Sequence, residues 1–108
     1  MTSLLVQGAA DLKPGEMKKF SISGTDILIT NLDGAFYAIA NTCTHMGGSL
    51  ADGHLENGVV KCPRHGAEYD VKTGKCVGKL SFLLVKKMTD GVKAYPIEIK
   101  DGEVYIQI

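Results

Sequence analysis

The chain has 108 residues, of which 44% are hydrophobic, and this combination predicts one globular domain over residues 1–108 rather than a disordered chain. Its 12 basic and 12 acidic residues cancel and form no basic run, which argues against a nucleic-acid-binding protein. The sequence contains no run of about 18 apolar residues, so a membrane span is not predicted.

Short β-strands are predicted along most of the chain. The β-branched runs at residues 20–22 and 27–29 predict two strands, and Asp33-Gly34 predicts a hairpin turn before a strand at residues 35–39. Apolar and polar residues alternate on both sides of Asp101-Gly102, which predicts a C-terminal hairpin. Further turns are expected at Pro14-Gly15, Asn57-Gly58 and Thr73-Gly74. Many short strands without a sustained helical pattern predict an all-β sandwich or barrel.

The N-terminus and the cysteine count both bear on location. The first seven residues carry no basic group and too short an apolar stretch for a signal peptide, which favours a cytoplasmic location. Three cysteines are an odd number, which argues against a closed disulfide framework. In a reducing compartment, thiols are more often metal ligands or buried residues than disulfide partners.

Two mixed cysteine–histidine pairs are the strongest functional signal in the chain. Cys43 and His45 form the first pair, and Cys62 and His65 form the second after 16 intervening residues. Each pair lies among turn-forming residues, so each loop offers one thiolate and one imidazole. A [2Fe–2S] cluster in which two histidines replace two cysteines on one iron requires this ligand set. The pairs lie in a region, about residues 41–80, that interrupts the β pattern and contains every cysteine and histidine of the chain.

Three other interpretations of the four residues remain open. Two cysteines and two histidines can hold structural zinc, although zinc sites usually keep the two cysteines together and the two histidines together. Cys43 and Cys62 could form a disulfide, which a cytoplasmic location disfavours. The four residues could also be unrelated to one another.

In each loop a glycine follows the histidine, either directly or soon after it. The two loops resemble the cluster-binding loops of the Rieske iron–sulfur family, and in particular those of the soluble Rieske ferredoxins. The resemblance covers nearly the whole chain. It implies an antiparallel β-sandwich with a small inserted cluster-binding subdomain, here about residues 43–80. It implies one [2Fe–2S] cluster per chain, with Cys43 and Cys62 on one iron and His45 and His65 on the other.

One departure from some family members identifies the subtype. Those members carry two additional cysteines, which form a disulfide between the loops. Gly48 and Arg64 occupy the matching positions here, so the resemblance is to the disulfide-free type.

The resemblance implies a soluble one-electron carrier and not an enzyme. A reductase, expected to be flavin-dependent, would supply the electron, and the terminal oxygenase of a dioxygenase system or another acceptor would receive it. Two alternatives are a small Rieske subunit of a larger oxidoreductase, such as a nitrite-reductase-like complex, and a redox sensor.

Two potential ligands fall outside both motifs. His54 has no motif position and is expected to be a surface or turn histidine. Cys76 is expected to be a buried thiol on a strand rather than a further ligand.

Overall fold

The computed structural model describes residues 3–42, 48–63, 67–77 and 91–108. Within these ranges the chain forms ten β-strands and two 3₁₀ helices, and all strand pairings are antiparallel. The strands are β1 (Ser3–Leu5), β2 (Met17–Ile22), β3 (Thr25–Leu32), β4 (Ala35–Ala40), β5 (His54–Glu56), β6 (Val59–Lys61), β7 (Glu68–Asp70), β8 (Ala94–Tyr95), β9 (Ile97–Lys100) and β10 (Glu103–Gln107). The 3₁₀ helices are Ala9–Asp11 and Leu50–Asp52. In the described ranges no helix is long and apolar enough to cross a membrane.

Four hairpins in the described ranges use the same kind of two-residue turn. In each turn both residues have positive φ, between 51° and 94°. Turns of this kind match the right-handed twist of the flanking strands, and Asn-Gly and Asp-Gly favour them. The hairpins predicted at Asp33-Gly34 and Asp101-Gly102 are confirmed. Asn57-Gly58 joins β5 to β6, and Ser23-Gly24 joins β2 to β3.

The described strands form three sheets. Their orders are β1-β10-β9, β2-β3-β4-β8 and β5-β6-β7. The first sheet joins the two ends of the described chain, because β1 pairs with β10 and Leu4 lies opposite Ile106. The third sheet is formed by a continuous stretch of sequence that follows the first cysteine–histidine pair and surrounds the second.

Two hydrophobic cores lie on opposite faces of β3. The sandwich core joins the first two sheets, and its buried members are Val6, Ala9, Ile27, Ile29, Ala38, Val104 and Ile106. The second core joins the middle sheet to the third sheet, and its buried members are Leu28, Ile39, Leu50, Val60, Cys62, Ala67, Tyr69, Val71 and Val92. Side chains alternate between the faces of a strand, so β3 supplies both cores. The predicted antiparallel sandwich is confirmed, and its middle sheet is covered on both faces.

Thr30 is a buried polar residue on β3, and its replacement measures the cost of burying its hydroxyl group. Thr30 is 0% exposed, and its Oγ1 has no hydrogen-bond partner, alone among the buried side-chain polar atoms of the described residues. Because Thr30→Val removes an unsatisfied hydroxyl and keeps the side-chain shape, we expect the free energy of unfolding to rise by about 1 kcal/mol.

Thermal or denaturant unfolding measures this change, and Thr25→Val is the matched control. Thr25 begins the same strand and is only partly buried, and its hydroxyl is not among the buried side-chain polar atoms that have no partner. We expect no comparable gain from Thr25→Val. A loss of stability in Thr30→Val would contradict the prediction.

Candidate metal centre

Of the four expected ligands, the described residues include only Cys62. Cys43, His45 and His65 lie outside them. Cys62 directly follows β6 and is 1% exposed within the second core. Its backbone N–H donates to the Ala67 carbonyl over 2.8 Å. This bond, next to the pairing of β6 with β7, closes the base of the second cysteine–histidine loop.

The base of the first cysteine–histidine loop is closed in a similar way. Thr42 and Ser49 form a single-residue antiparallel bridge on either side of residues 43–48. The Leu50 N–H donates to the Asn41 carbonyl over 2.8 Å. The chain therefore returns to lie beside itself directly after the segment that holds Cys43 and His45.

The two loop bases belong to one packed region. Leu50, at the base of the first loop, is buried in the second core together with Cys62 and Ala67 at the base of the second loop. Two loops can supply ligands to one metal centre only if their bases lie close together, as the bases of these two loops do. A thiolate in apolar surroundings also suits a cluster ligand, because the hydrophobic shell of a metal site controls its access to water and its potential. The donor set of two thiolates and two imidazoles, with Cys62 in this environment, fits a [2Fe–2S] cluster.

At Gly53, the chain that follows the first loop packs closely against β6, the strand that leads to the second loop. A Cβ atom at this position would collide with the backbone carbonyl of Lys61, the residue before Cys62. Only glycine allows so close an approach of two backbones. The sequence alone does not single out Gly53, although Asp52-Gly53 is a turn signal.

Asn41 is a second residue that sequence reasoning misses. It is 2% exposed, and its side chain hydrogen-bonds Ser49 and the backbone of Ala51. The available signal is weak: a polar residue directly after the apolar strand β4 and two positions before Cys43.

The two potential ligands outside the motifs lie as follows. The His54 side chain is 74% exposed, and its Nε2 lies 3.6 Å from Glu56 Oε1, so the expected surface location is confirmed, on a strand. Cys76 is partly buried, packs against the second core and forms a single-residue bridge with Tyr69. The prediction of a buried thiol on a strand is therefore only partly confirmed, because Cys76 is partly buried and lies in a single-residue bridge.

Comparisons with known proteins agree with the fold and with the expected [2Fe–2S] cofactor. The chain is 35% identical over 109 residues to the 3-phenylpropionate/cinnamic acid dioxygenase ferredoxin subunit of Photorhabdus laumondii, with 100% of this chain and 96% of that protein covered. Its structure is similar to the ferredoxin of carbazole 1,9a-dioxygenase from Nocardioides aromaticivorans IC177, with a TM-score of 0.84, 25% identity, and 98% and 97% of the two chains covered.

A similar structure also occurs in a complex. A chain in the complex of reduced oxygenase and oxidized ferredoxin in carbazole 1,9a-dioxygenase has a TM-score of 0.82 and 31% identity, with 96% of this chain and 91% of that chain covered. The Rieske [2Fe-2S] domain pattern itself matches residues 2–87. The chain therefore belongs to the Rieske [2Fe-2S] domain family.

Proposed function

We propose that this protein is the ferredoxin of a multicomponent dioxygenase system, in which it carries single electrons from a reductase to a terminal oxygenase. As a Rieske ferredoxin it holds one [2Fe–2S] cluster and is an electron-transfer protein rather than a catalytic subunit. The observation that carries the proposal is the similarity to a dioxygenase ferredoxin subunit over 100% of this chain and 96% of that protein.

We assign the cluster to Cys43, His45, Cys62 and His65, with the thiolates on one iron and the imidazoles on the other, in a cluster-binding subdomain of about residues 43–80. The burial of Cys62 and the closed bases of both loops support this assignment. When bound, the cluster supplies reversible one-electron exchange. The apolar members of the second core exclude water from the packed side of Cys62.

The purified protein is expected to contain about two irons and two acid-labile sulfides per chain, since a [2Fe–2S] cluster has this composition. Iron and sulfide analysis measures the content. EPR of the dithionite-reduced protein, compared with an all-cysteine [2Fe–2S] ferredoxin, tests the histidine ligation, because neutral imidazoles change the electronic structure of the reduced iron. One zinc per chain without sulfide would contradict the assignment.

The electron donor is proposed to be a flavin-dependent reductase, and the acceptor a terminal oxygenase. The similar structure found in a complex of oxygenase and ferredoxin supports the acceptor. With catalytic amounts of such a reductase and only enough NADH to reduce every cluster, the visible absorbance of the oxidised protein is expected to fall. Adding a matching oxidised terminal oxygenase should restore that absorbance in single-turnover mixing. Reduction without any transfer to the oxygenase would contradict the proposed acceptor.

We also propose that the protein acts in the cytoplasm. Cysteines must be deprotonated thiolates to bind iron, and a reducing compartment keeps them available. Cell fractionation with antibody detection tests the location.

A further inference from the structure

On the basis of the ligand assignment proposed above, we infer that Asn41 is a positioning residue for the first cysteine–histidine loop. Asn41 precedes Cys43 by two residues and His45 by four. We propose that its side chain fixes the return of the chain after this loop, so that both ligands are held ready for the cluster.

Asn41 is buried, and each of its polar groups has a partner. It is 2% exposed, and a buried amide is costly unless it is hydrogen-bonded. Its backbone N–H donates to the Asp26 carbonyl over 3.0 Å, and its carbonyl accepts from the Leu50 N–H over 2.8 Å. Its Nδ2 donates to Ser49 Oγ over 2.8 Å, and its Oδ1 accepts from the Ala51 N–H over 2.9 Å. One bond therefore reaches β3, and three reach the segment that follows the loop.

The bonds of Asn41 replace the usual cap of the 3₁₀ helix Leu50–Asp52. The first N–H groups of a helix have no partner within it and need outside acceptors. Ser49 occupies the N-cap position, but its side chain makes no capping bond. Asn41 instead supplies both acceptors, its carbonyl to Leu50 and its Oδ1 to Ala51. Asn41, which lies just before the first loop, therefore holds in place the helix that follows this loop.

This arrangement also couples the first loop to the second. Leu50, which Asn41 holds through its backbone, is 0% exposed in the second core, the same core that contains Cys62. A loop that is fixed at its base loses less conformational freedom when its side chains bind a metal. Groups that orient metal ligands typically change metal affinity by roughly 10- to 100-fold when they are removed.

Asn41→Ala tests the role, and Asn31→Ala is its matched control. Asn31 is also buried, at 4% exposure. Its Nδ2 donates to the Leu12 carbonyl over 2.7 Å and its Oδ1 accepts from the Gly34 N–H over 2.8 Å. Both substitutions therefore remove a buried amide with one donated and one accepted bond. Asn31, however, bonds residues 12 and 34, which do not flank either cysteine–histidine loop.

We expect both variants to unfold at lower temperature than the wild type. Well below both unfolding temperatures, Asn41→Ala should release its cluster to a chelator roughly 10- to 100-fold faster than the wild type. It should also show altered g-values in the EPR spectrum of the reduced protein. Asn31→Ala should keep the wild-type release rate and g-values. Loss of visible absorbance and EPR measure these effects independently of electron transfer to any partner.

Ser49→Ala provides a milder variant should Asn41→Ala not fold. It removes only the acceptor of the Nδ2 bond, so we expect faster cluster release by a smaller factor, and release at the wild-type rate would overturn the inference. If Asn41→Ala folds and matches Asn31→Ala in release rate and g-values, the positioning role is likewise wrong while the proposed function stands. A wild-type protein without iron and sulfide would instead contradict the proposed function, and the positioning role with it.

Discussion

Cys62→Ala is expected to yield a protein without a [2Fe–2S] cluster, with a fall from about two irons per chain to none. Cys62 supplies a thiolate directly to iron in our assignment. It is buried, and alanine has no atom that can bind iron in its place. Iron and sulfide analysis after anaerobic reconstitution measures the effect. Cys43→Ala, His45→Ala and His65→Ala extend the test to the other proposed ligands.

Cys76→Ala is the matched control, because it makes the same chemical change elsewhere in the chain. Cys76 is partly buried, and its backbone forms a single-residue bridge with Tyr69. A backbone bridge survives the loss of the thiol, so we expect both irons and a normal EPR spectrum to remain. Loss of iron from Cys76→Ala together with a normal cluster in Cys62→Ala would show that the ligand assignment is wrong.

Gly74→Ala is expected to lower the free energy of unfolding by about 4 kcal/mol or more, the range of severe steric or strain defects. Gly74 has φ +78°, a conformation that is unfavourable for alanine, and a Cβ atom there would collide with the Val92 carbonyl. The Val92 N–H also donates to the Gly74 carbonyl over 2.8 Å, so the two segments cannot separate without losing this bond. Denaturant unfolding of the wild type and the variant measures the change.

Gly102→Ala separates the steric collision from the backbone strain. Gly102 has the same φ of +78°, but a Cβ atom there would have no neighbour within 4 Å. Its replacement should therefore show the strain alone, about 1–2 kcal/mol. Equal losses of stability in the two variants would mean that the contact between Gly74 and Val92 relaxes without cost.

Features that depend only on residues close together in the chain could be predicted from the sequence. Asp33-Gly34 and Asp101-Gly102 predict their hairpins correctly because a two-residue turn depends on the φ angles of its own two residues. The two cysteine–histidine pairs point to a mixed-ligand [2Fe–2S] cluster because ligand type and spacing are local properties, and the family membership agrees with them. The assignment of individual ligands remains a prediction.

The support of the two loops could not be predicted from the sequence, because it depends on contacts between residues that are distant along the chain. The run Ile27 to Ile29 predicts a strand, but only the packing of a third sheet on the middle sheet shows that both faces of β3 are buried. Asn41 has no motif, and its importance comes from bonds to residues 49–51, on the far side of the first loop. Gly53 is constrained by the Lys61 carbonyl, which no sequence pattern places beside it. Such contacts form only when the segments pack together, and they are therefore absent from any local pattern of residues.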